Sequence, residues 1–208
     1  MSTTTLRFLQ QENARLQEEN KTLREENYGL HKYMDALKSL AWATQQITSE
    51  ENLLDLIDQI LHSAMQVLDA EGGSLLLPDE ETDELAFVLV HGDVEHELRG
   101  YRIKRQTGIA GWVATHHQPL AVNNPRQDPR FSSEVDETFS FFTRSILCVP
   151  MATRGKLIGV IELLNKRGGN GFSEADMTLL SILGRVAAIA LEELDSRLEA
   201  EEAARRRK

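Results

Sequence analysis

The segments SILCVPM at residues 145–151 and KLIGVIELL at residues 156–164 decide the fold of this chain. Both segments are apolar and of strand length, and the intervening Thr153-Arg154-Gly155 contains a glycine that permits a tight turn. Apolar runs of this length, bounded by turn residues, are typical of buried strands. The pattern predicts a central antiparallel hairpin.

Weaker patterns surround this hairpin. Gly72-Gly73 is predicted to end a helix, and two strands are predicted to pair across an acidic turn at residues 79–83. Residues 123–144 are polar and carry two prolines, which is typical of a loop with a helix inside that closes over a pocket. The other predicted elements are strands at residues 74–77, 85–90, 99–104 and 119–122 and a short helix at residues 108–113.

A helix is predicted at each end of this region. Ser49-Glu50-Glu51 has the composition of a helix cap and an acidic first turn, and the last helix is predicted to start near Ser173. Helices flanking a central antiparallel sheet predict an α+β fold. We expect this domain to cover residues 49–195 and a C-terminal helix extension to cover residues 196–208.

Leucine recurs at every seventh position near the N-terminus, which is the period of a coiled-coil seam. Asparagine occupies three successive a positions between these leucines. Its amide can hydrogen-bond its counterpart in an in-register parallel dimer, whereas other registers bury it unpaired. We therefore predict a parallel dimeric coiled coil over residues 1–48, with the seam Leu9, Asn13, Leu16, Asn20, Leu23, Asn27, Leu30 and Leu37.

Composition limits the classes of function. The 208 residues carry 33 acidic and 23 basic side chains, and a net charge of -10 disfavours a nucleic-acid-binding surface. One cysteine excludes an internal disulfide framework. The sequence shows no signal peptide and no apolar run of about 20 residues that could cross a membrane. We expect a cytoplasmic protein that has no membrane or nucleic-acid partner.

Five separated segments occur in the order GIAGWVATHHQPLAVNN (108–124), DPRFSSEVD (128–136), FFTRSILCVPM (141–151), KLIGVIELLNK (156–166) and FSEAD (172–176). This order resembles the GAF domain, particularly the subtype in cyclic-nucleotide phosphodiesterases and related adenylyl cyclases. The likeness extends from about Leu53 to Leu194.

The family's signature motif maps onto Asn165, Lys166, Phe172 and Asp176. The resemblance implies that Lys166 and Asp176 form a structural ion pair beside a nucleotide pocket. Met177 stands where the family has glutamate. The residues themselves also fit a capping box, because Ser173 precedes an acid by three positions. Both roles for Asp176 are compatible.

The resemblance implies that Ser74, Asp136, Thr143 and Glu162 contact a nucleotide. Glu162 lies on an otherwise apolar strand face, so it needs a partner or solvent; an acid facing water and an internal ion pair remain alternatives to a ligand contact. His91 and Phe139 depart from the family pattern at positions that the resemblance implies are ligand-binding. The departure favours a more apolar ligand, or a pocket closed by Phe139, Phe141 and Phe142.

Catalytic signals are weak. Cys148 lies in an apolar run, where a free cysteine acts as a small hydrophobe. We expect no enzyme activity, metal or cofactor. The predicted function is a stand-alone homodimeric signalling module, which binds a small ligand such as a cyclic nucleotide and passes a helix rearrangement to a separate output protein. The alternative is a ligand-free GAF scaffold for protein–protein interaction.

Overall fold

A computed structural model describes residues 50–206 and, nearer the N-terminus, Arg7, residues 10–21, Leu23, Arg24, Asn27 and Met34. The chain divides into two compact units, Met1–Ser39 and Leu40–Lys208. In the first unit, residues 10–21 are helical.

Two of the heptad leucines are exposed in this single chain. The exposed fractions are 52% for Leu16 and 56% for Leu23, so the described part of the predicted seam is uncovered. Asn13, Asn20 and Asn27 are also exposed. Leu9, Leu30 and Leu37 lie outside the described residues. The coiled coil remains a prediction.

The second unit contains a six-stranded antiparallel sheet, which confirms the predicted α+β fold. Its strand order is β3-β2-β1-β6-β5-β4, and the central hairpin expected from the sequence forms β5 and β6. The strands are β1 (Ala70–Asp79), β2 (Glu84–His91), β3 (Arg102–Lys104), β4 (Leu120–Val122), β5 (Ile146–Thr153) and β6 (Lys156–Lys166).

Helices cover both faces of the sheet. One long helix at each end of the domain packs on one face, and shorter helices cover the other. A 3₁₀ turn spans Pro125–Gln127. The helices are α1 (Glu50–Val67), α2 (Glu95–Leu98), α3 (Gly108–His116), α4 (Glu134–Phe139) and α5 (Glu174–Arg206).

Strand alternation divides the core into two layers. Leu163 of β6 faces α1, and Val149 of β5 faces α5. The alternate positions, including Ile146 and Val160, join a cluster with Ile109 and Val113 of α3. Successive side chains of a strand point to opposite faces, so the second layer is where Glu162 and Leu164 also lie.

The structure corrects the prediction for Gly72-Gly73. These glycines lie inside β1, and α1 ends earlier, at Val67. A Cβ atom at Gly73 would lie 2.9 Å from Leu163 Cδ2 and 3.0 Å from Met65 Cγ. The absent side chain therefore allows α1 to approach the sheet closely. In the sequence alone, glycines needed for close packing cannot be told apart from glycines that end a helix.

Candidate functional site

The second core layer opens into a pocket. It lies between the sheet, α2, the start of α3 and α4, and its volume is about 620 Å³ when the space at its open mouth is included. Most of its walls are apolar or aromatic, as in small-molecule sites. These walls are formed by Phe87, Val94, Leu98, Ile103, Ile109, Ala110, Phe131, Val135, Phe141, Ile146 and Leu164.

Glu162 is a carboxyl group in this apolar pocket. It lies directly opposite Ser74 in the β1–β6 pair, and Ser74 Oγ donates a hydrogen bond of 2.7 Å to Glu162 Oε1. Only 7% of Glu162 is exposed. Burial, opposed by the Ser74 bond and reinforced by Asp136, raises the pKa of Glu162 to about 7. Both protonation states are therefore populated near neutral pH.

Asp136 is held by three donors. Its Oδ1 accepts the Thr143 hydroxyl at 2.6 Å, and its Oδ2 accepts the Thr143 backbone N–H at 3.0 Å. Arg126 Nη2 lies 2.8 Å from Oδ2. Asp136 and Thr143 are buried and both line the pocket, whereas 41% of the Arg126 side chain is exposed. These bonds fix α4 to the segment that leads into β5.

The start of α3 supplies donors of another kind. Thr107, Gly108, Ile109 and Ala110 line the pocket, and the Thr107 side chain makes no capping hydrogen bond. The first N–H groups of a helix have no acceptor within the helix and carry partial positive charge. The pocket thus combines backbone donors with the carboxyl groups of Glu162 and Asp136.

His91 lies away from the pocket. Its Nε2 is 2.9 Å from Asp58 Oδ1 of α1, and its ring meets that of His62 edge-on at 5.7 Å. The register of the β1–β2 pair shifts between two neighbouring residues of β1: Leu75 pairs with Leu89, whereas Leu76 pairs with Phe87. This bulge reverses the alternation of β2, so that Phe87 faces the pocket and His91 faces α1.

The three clustered phenylalanines occupy different positions. Phe139 stacks edge-on against Tyr101, with ring centroids 5.0 Å apart. Phe141 lines the pocket. Phe142 is 57% exposed and lies under the Arg126 guanidinium at 4.7 Å. Of the three, only Phe141 is part of the described pocket wall.

The signature residues connect the end of β6 to the start of α5. Lys166 Nζ lies 2.8 Å from Asp176 Oδ2, and the same oxygen accepts the Ser173 backbone N–H at 2.7 Å. Ser173 Oγ in turn accepts the Asp176 backbone N–H at 3.2 Å, completing a capping box. The buried Asp176 therefore serves both roles that its sequence position suggested.

Asn165 has a separate structural role. Its φ of +57° places it in the left-handed region, and its Oδ1 accepts the Arg144 backbone N–H at 2.7 Å. Its Nδ2 donates to the Phe142 carbonyl at 3.0 Å. Asn165 thus holds the residues on either side of Thr143. The buried Phe172 is held through its backbone by Asn123.

Sequence reasoning missed the contribution of Arg126 and the apolar walls from α2, β3 and α3. Arg126 lies in a polar segment that contains other arginines, and no sequence pattern links it to Asp136. The walls could be found only in part, from the apolar residues at the start of α3. Their convergence depends on how the sheet curves and on which helices cover it.

Other site types lack support in the described residues. Those residues contain no group of three or more His, Cys, Asp or Glu side chains positioned to bind a metal. Cys148 is fully buried, and burial raises the pKa of its thiol well above its usual value. None of the helices in the described ranges has the length and apolar composition that a membrane crossing requires.

The family model for the GAF domain matches residues 52–191. A probable 3',5'-cyclic phosphodiesterase of Caenorhabditis elegans, pde-5, is 31% identical over an alignment of 145 residues, and the match covers 65% of this chain and 20% of the relative. The dual 3',5'-cyclic-AMP and -GMP phosphodiesterase 11 of Drosophila melanogaster is 30% identical over an alignment of 174 residues, and the match covers 77% of this chain and 12% of the relative. The chain thus spans a small part of these curated relatives.

Solved structures with the same fold include a domain of a phosphotransferase and a sulfoxide reductase. The GAF domain of a phosphoenolpyruvate-protein phosphotransferase from Coxiella burnetii superimposes with a TM-score of 0.68 at 19% identity, covering 79% of this chain and 97% of that one. A free methionine-R-sulfoxide reductase from Neisseria meningitidis gives 0.66 at 19% identity, covering 79% and 91%. These likenesses show the fold alone.

Proposed function

Because this chain belongs to the GAF domain family, we propose that it is a regulatory module whose pocket binds a small ligand, with a cyclic nucleotide as the first candidate. The observation that carries this proposal is the pocket itself. It combines aromatic walls, the carboxyl group of Glu162 and the uncapped first turn of α3. A planar base can pack on such walls and offer N–H groups to Glu162, while a phosphate favours a helix N-terminus.

The relatives support this ligand class but not an enzymatic function. Two of them are phosphodiesterases of cyclic nucleotides, and the chain matches 20% and 12% of their lengths. We propose that this chain is not an enzyme. The buried Cys148 thiol supports this, because its raised pKa disfavours the reactive thiolate. The sulfoxide reductase neighbour is too distant to transfer its activity.

We further propose that the regulatory output passes through a homodimer. The heptads of residues 1–48 would form its parallel coiled coil, residues 49–195 its sensor domain and residues 196–208 its helical extension. Helices α1 and α5 pack together on the sheet, so a ligand that favours one arrangement of the domain would shift their relation. A separate cytoplasmic partner would receive the change.

Titration calorimetry with cyclic GMP and cyclic AMP tests the ligand proposal. Ser132 lies in the pocket lining, so Ser132→Trp should fill the mouth and weaken binding by at least about tenfold. Gln127→Trp places the same side chain at an exposed position of the neighbouring 3₁₀ turn and should bind like the wild type. Equal binding by both variants would contradict the pocket assignment.

Native mass spectrometry of protein purified from its own cells separates sensing from the scaffold alternative. A bound small molecule that Ser132→Trp removes would support a sensor. Repeatedly empty protein that copurifies with one partner would instead support a ligand-free scaffold.

A further inference from the structure

The two carboxyl groups of the pocket differ in how many donors they already face. Both oxygens of Asp136 are occupied by the two groups of Thr143 and by Arg126. Among the described residues, Ser74 is the one hydrogen-bond partner of Glu162, and it contacts Oε1. Asp136 is therefore committed to holding the structure, whereas Glu162 retains capacity for a ligand.

The second oxygen of Glu162 is available to the pocket. Glu162 lines the pocket, and no buried side-chain nitrogen or oxygen among the described residues lacks a hydrogen-bond partner. Oε2 has no such partner, so it must retain access to the pocket space. A carboxylate accepts hydrogen bonds at both oxygens, whereas a carboxylic acid donates from one and accepts at the other.

The surroundings leave the charge of Glu162 uncompensated. Ser74 faces it from β1, Cys148 from β5 and Asp136 from α4. Ser74 is neutral, the Cys148 thiol has a raised pKa, and Asp136 carries the same charge as Glu162 when both are ionised. The nearby cation, Arg126, pairs with Asp136 instead. A single proton can therefore change the polarity of this part of the pocket near neutral pH, where the pKa of Glu162 lies.

We propose that Glu162 selects the ligand by the pattern of hydrogen-bond donors and acceptors along the ligand's edge, and that protonation of Glu162 reverses which pattern is preferred. Ionised Glu162 accepts two N–H donors, whereas protonated Glu162 donates to an acceptor and accepts from one N–H. This inference rests on the proposed ligand-binding function. It assigns the ligand class as a planar heterocycle with adjacent hydrogen-bonding groups.

Cyclic GMP and cyclic AMP are matched probes of this preference. Guanine presents two adjacent donors, N1–H and the N2 amino group, whereas adenine presents the donor N6 amino group beside the acceptor N1. If each nucleotide binds one protonation state, raising the pH from 6 to 8 should strengthen cyclic GMP binding about tenfold and weaken cyclic AMP binding by a similar factor. Calorimetry in buffers of different ionisation enthalpy should show proton release with cyclic GMP and proton uptake with cyclic AMP.

Glu162→Gln should abolish the opposite pH trends and the proton exchange, because an amide keeps one donor and one acceptor at every pH. Glu80→Gln, the same substitution at an exposed glutamate of the β1–β2 turn, should retain both. An unchanged ratio of the two affinities between pH 6 and 8 would overturn the inference alone. Failure of both nucleotides to bind at either pH would overturn the cyclic-nucleotide proposal and this selectivity together.

Infrared difference spectroscopy tests the proton site without any ligand. The wild type and Glu80→Gln should show a protonated carboxyl band at pH 6 that disappears by pH 8, and Glu162→Gln should lack it. Circular dichroism confirms that each variant folds. Absence of this band in the folded wild type would overturn the inference even if nucleotides bind.

Discussion

Ser74 Oγ donates a 2.7 Å hydrogen bond to Glu162 Oε1 across two neighbouring strands, although 88 positions separate the residues in sequence. A buried carboxyl is costly unless it is hydrogen-bonded or neutralised. Glu162 uses both routes, because it has the Ser74 partner and a pKa of about 7. A group of this kind makes the stability of the domain depend on pH.

The first prediction concerns that dependence. The folded pKa of Glu162 lies above the ordinary value of 4.5, so its contribution is fully present below pH 4.5 and is lost as the pH rises through about 7. The difference between these pKa values corresponds to about 3 kcal/mol. Urea unfolding from pH 5 to pH 8 should show a stability loss of this order in the wild type that Glu162→Gln lacks. Parallel profiles for the two proteins would contradict it.

The second prediction concerns Ser74→Ala. The Ser74 bond lowers the pKa of Glu162, so its removal should raise that pKa further. The midpoint at which the protonated carboxyl band disappears should therefore move to higher pH. Ser181→Ala removes a partly buried hydroxyl on α5 and should leave the midpoint in place. A downward shift in Ser74→Ala would show that the hydroxyl does not stabilise the charged form.

The third prediction compares the two sides of the Asp136 cluster. Asp136→Ala leaves the buried Thr143 hydroxyl and N–H without their acceptor, which should lower the free energy of unfolding by about 2 kcal/mol. Arg126→Ala should cost less than about 1 kcal/mol, because much of the arginine is in solvent. Urea denaturation measures both. Equal losses would mean that the arginine, and not Thr143, secures the carboxylate.

The fourth prediction concerns the end of β6. Asp176→Ala removes the acceptor of the Ser173 backbone N–H, which is one half of the capping box, and the partner of Lys166, so it should destabilise the domain by about 2 kcal/mol. Glu174→Ala removes an exposed acid from the same helical turn and serves as the control. Its cost should stay below about 0.5 kcal/mol. Thermal or urea unfolding measures both losses. Similar losses for the two variants would show that the acidic first turn as a whole, and not Asp176 in particular, stabilises the domain.

The fifth prediction concerns the heptads. Leu16→Lys combined with Leu23→Lys places charge on the predicted seam and should give monomers by light scattering. Gln11→Lys combined with Ala14→Lys adds the same charge outside the seam and should leave the dimer intact. A dimer that persists in the leucine variant would contradict the predicted coiled coil and would place the main interface in residues 50–206.

The sequence predicted the main elements because local patterns specify them. The alternation in residues 156–164 identifies a strand with one acid on an apolar face, and it is found as β6 with Glu162 in the pocket wall. Ser173 and Asp176 are close in sequence, so their capping box follows from local spacing. The helix at residues 134–139 inside the polar loop was also anticipated, although its bounds were not.

The resemblance implied a ligand-binding position for His91, but the structure places this residue outside the described pocket wall. Counting by twos from Phe87 places His91 on the pocket face. The bulge opposite Leu75 and Leu76 inserts one extra residue, and His91 is turned toward Asp58 of α1 instead. A bulge depends on how two strands pair, so the alternation of one strand cannot reveal it.

The sequence by itself predicted the strands and helices, the acid on β6 and the cap of α5, because periodicity and short spacing act within one element. The order of five separated segments added the resemblance to the GAF domain. Only the tertiary structure decided that Ser74 is the partner of Glu162 and that Arg126 and Thr143 occupy Asp136. These contacts join elements that are distant in sequence. Burial then shifts the pKa of Glu162, since desolvation depends on every element that surrounds the carboxyl group.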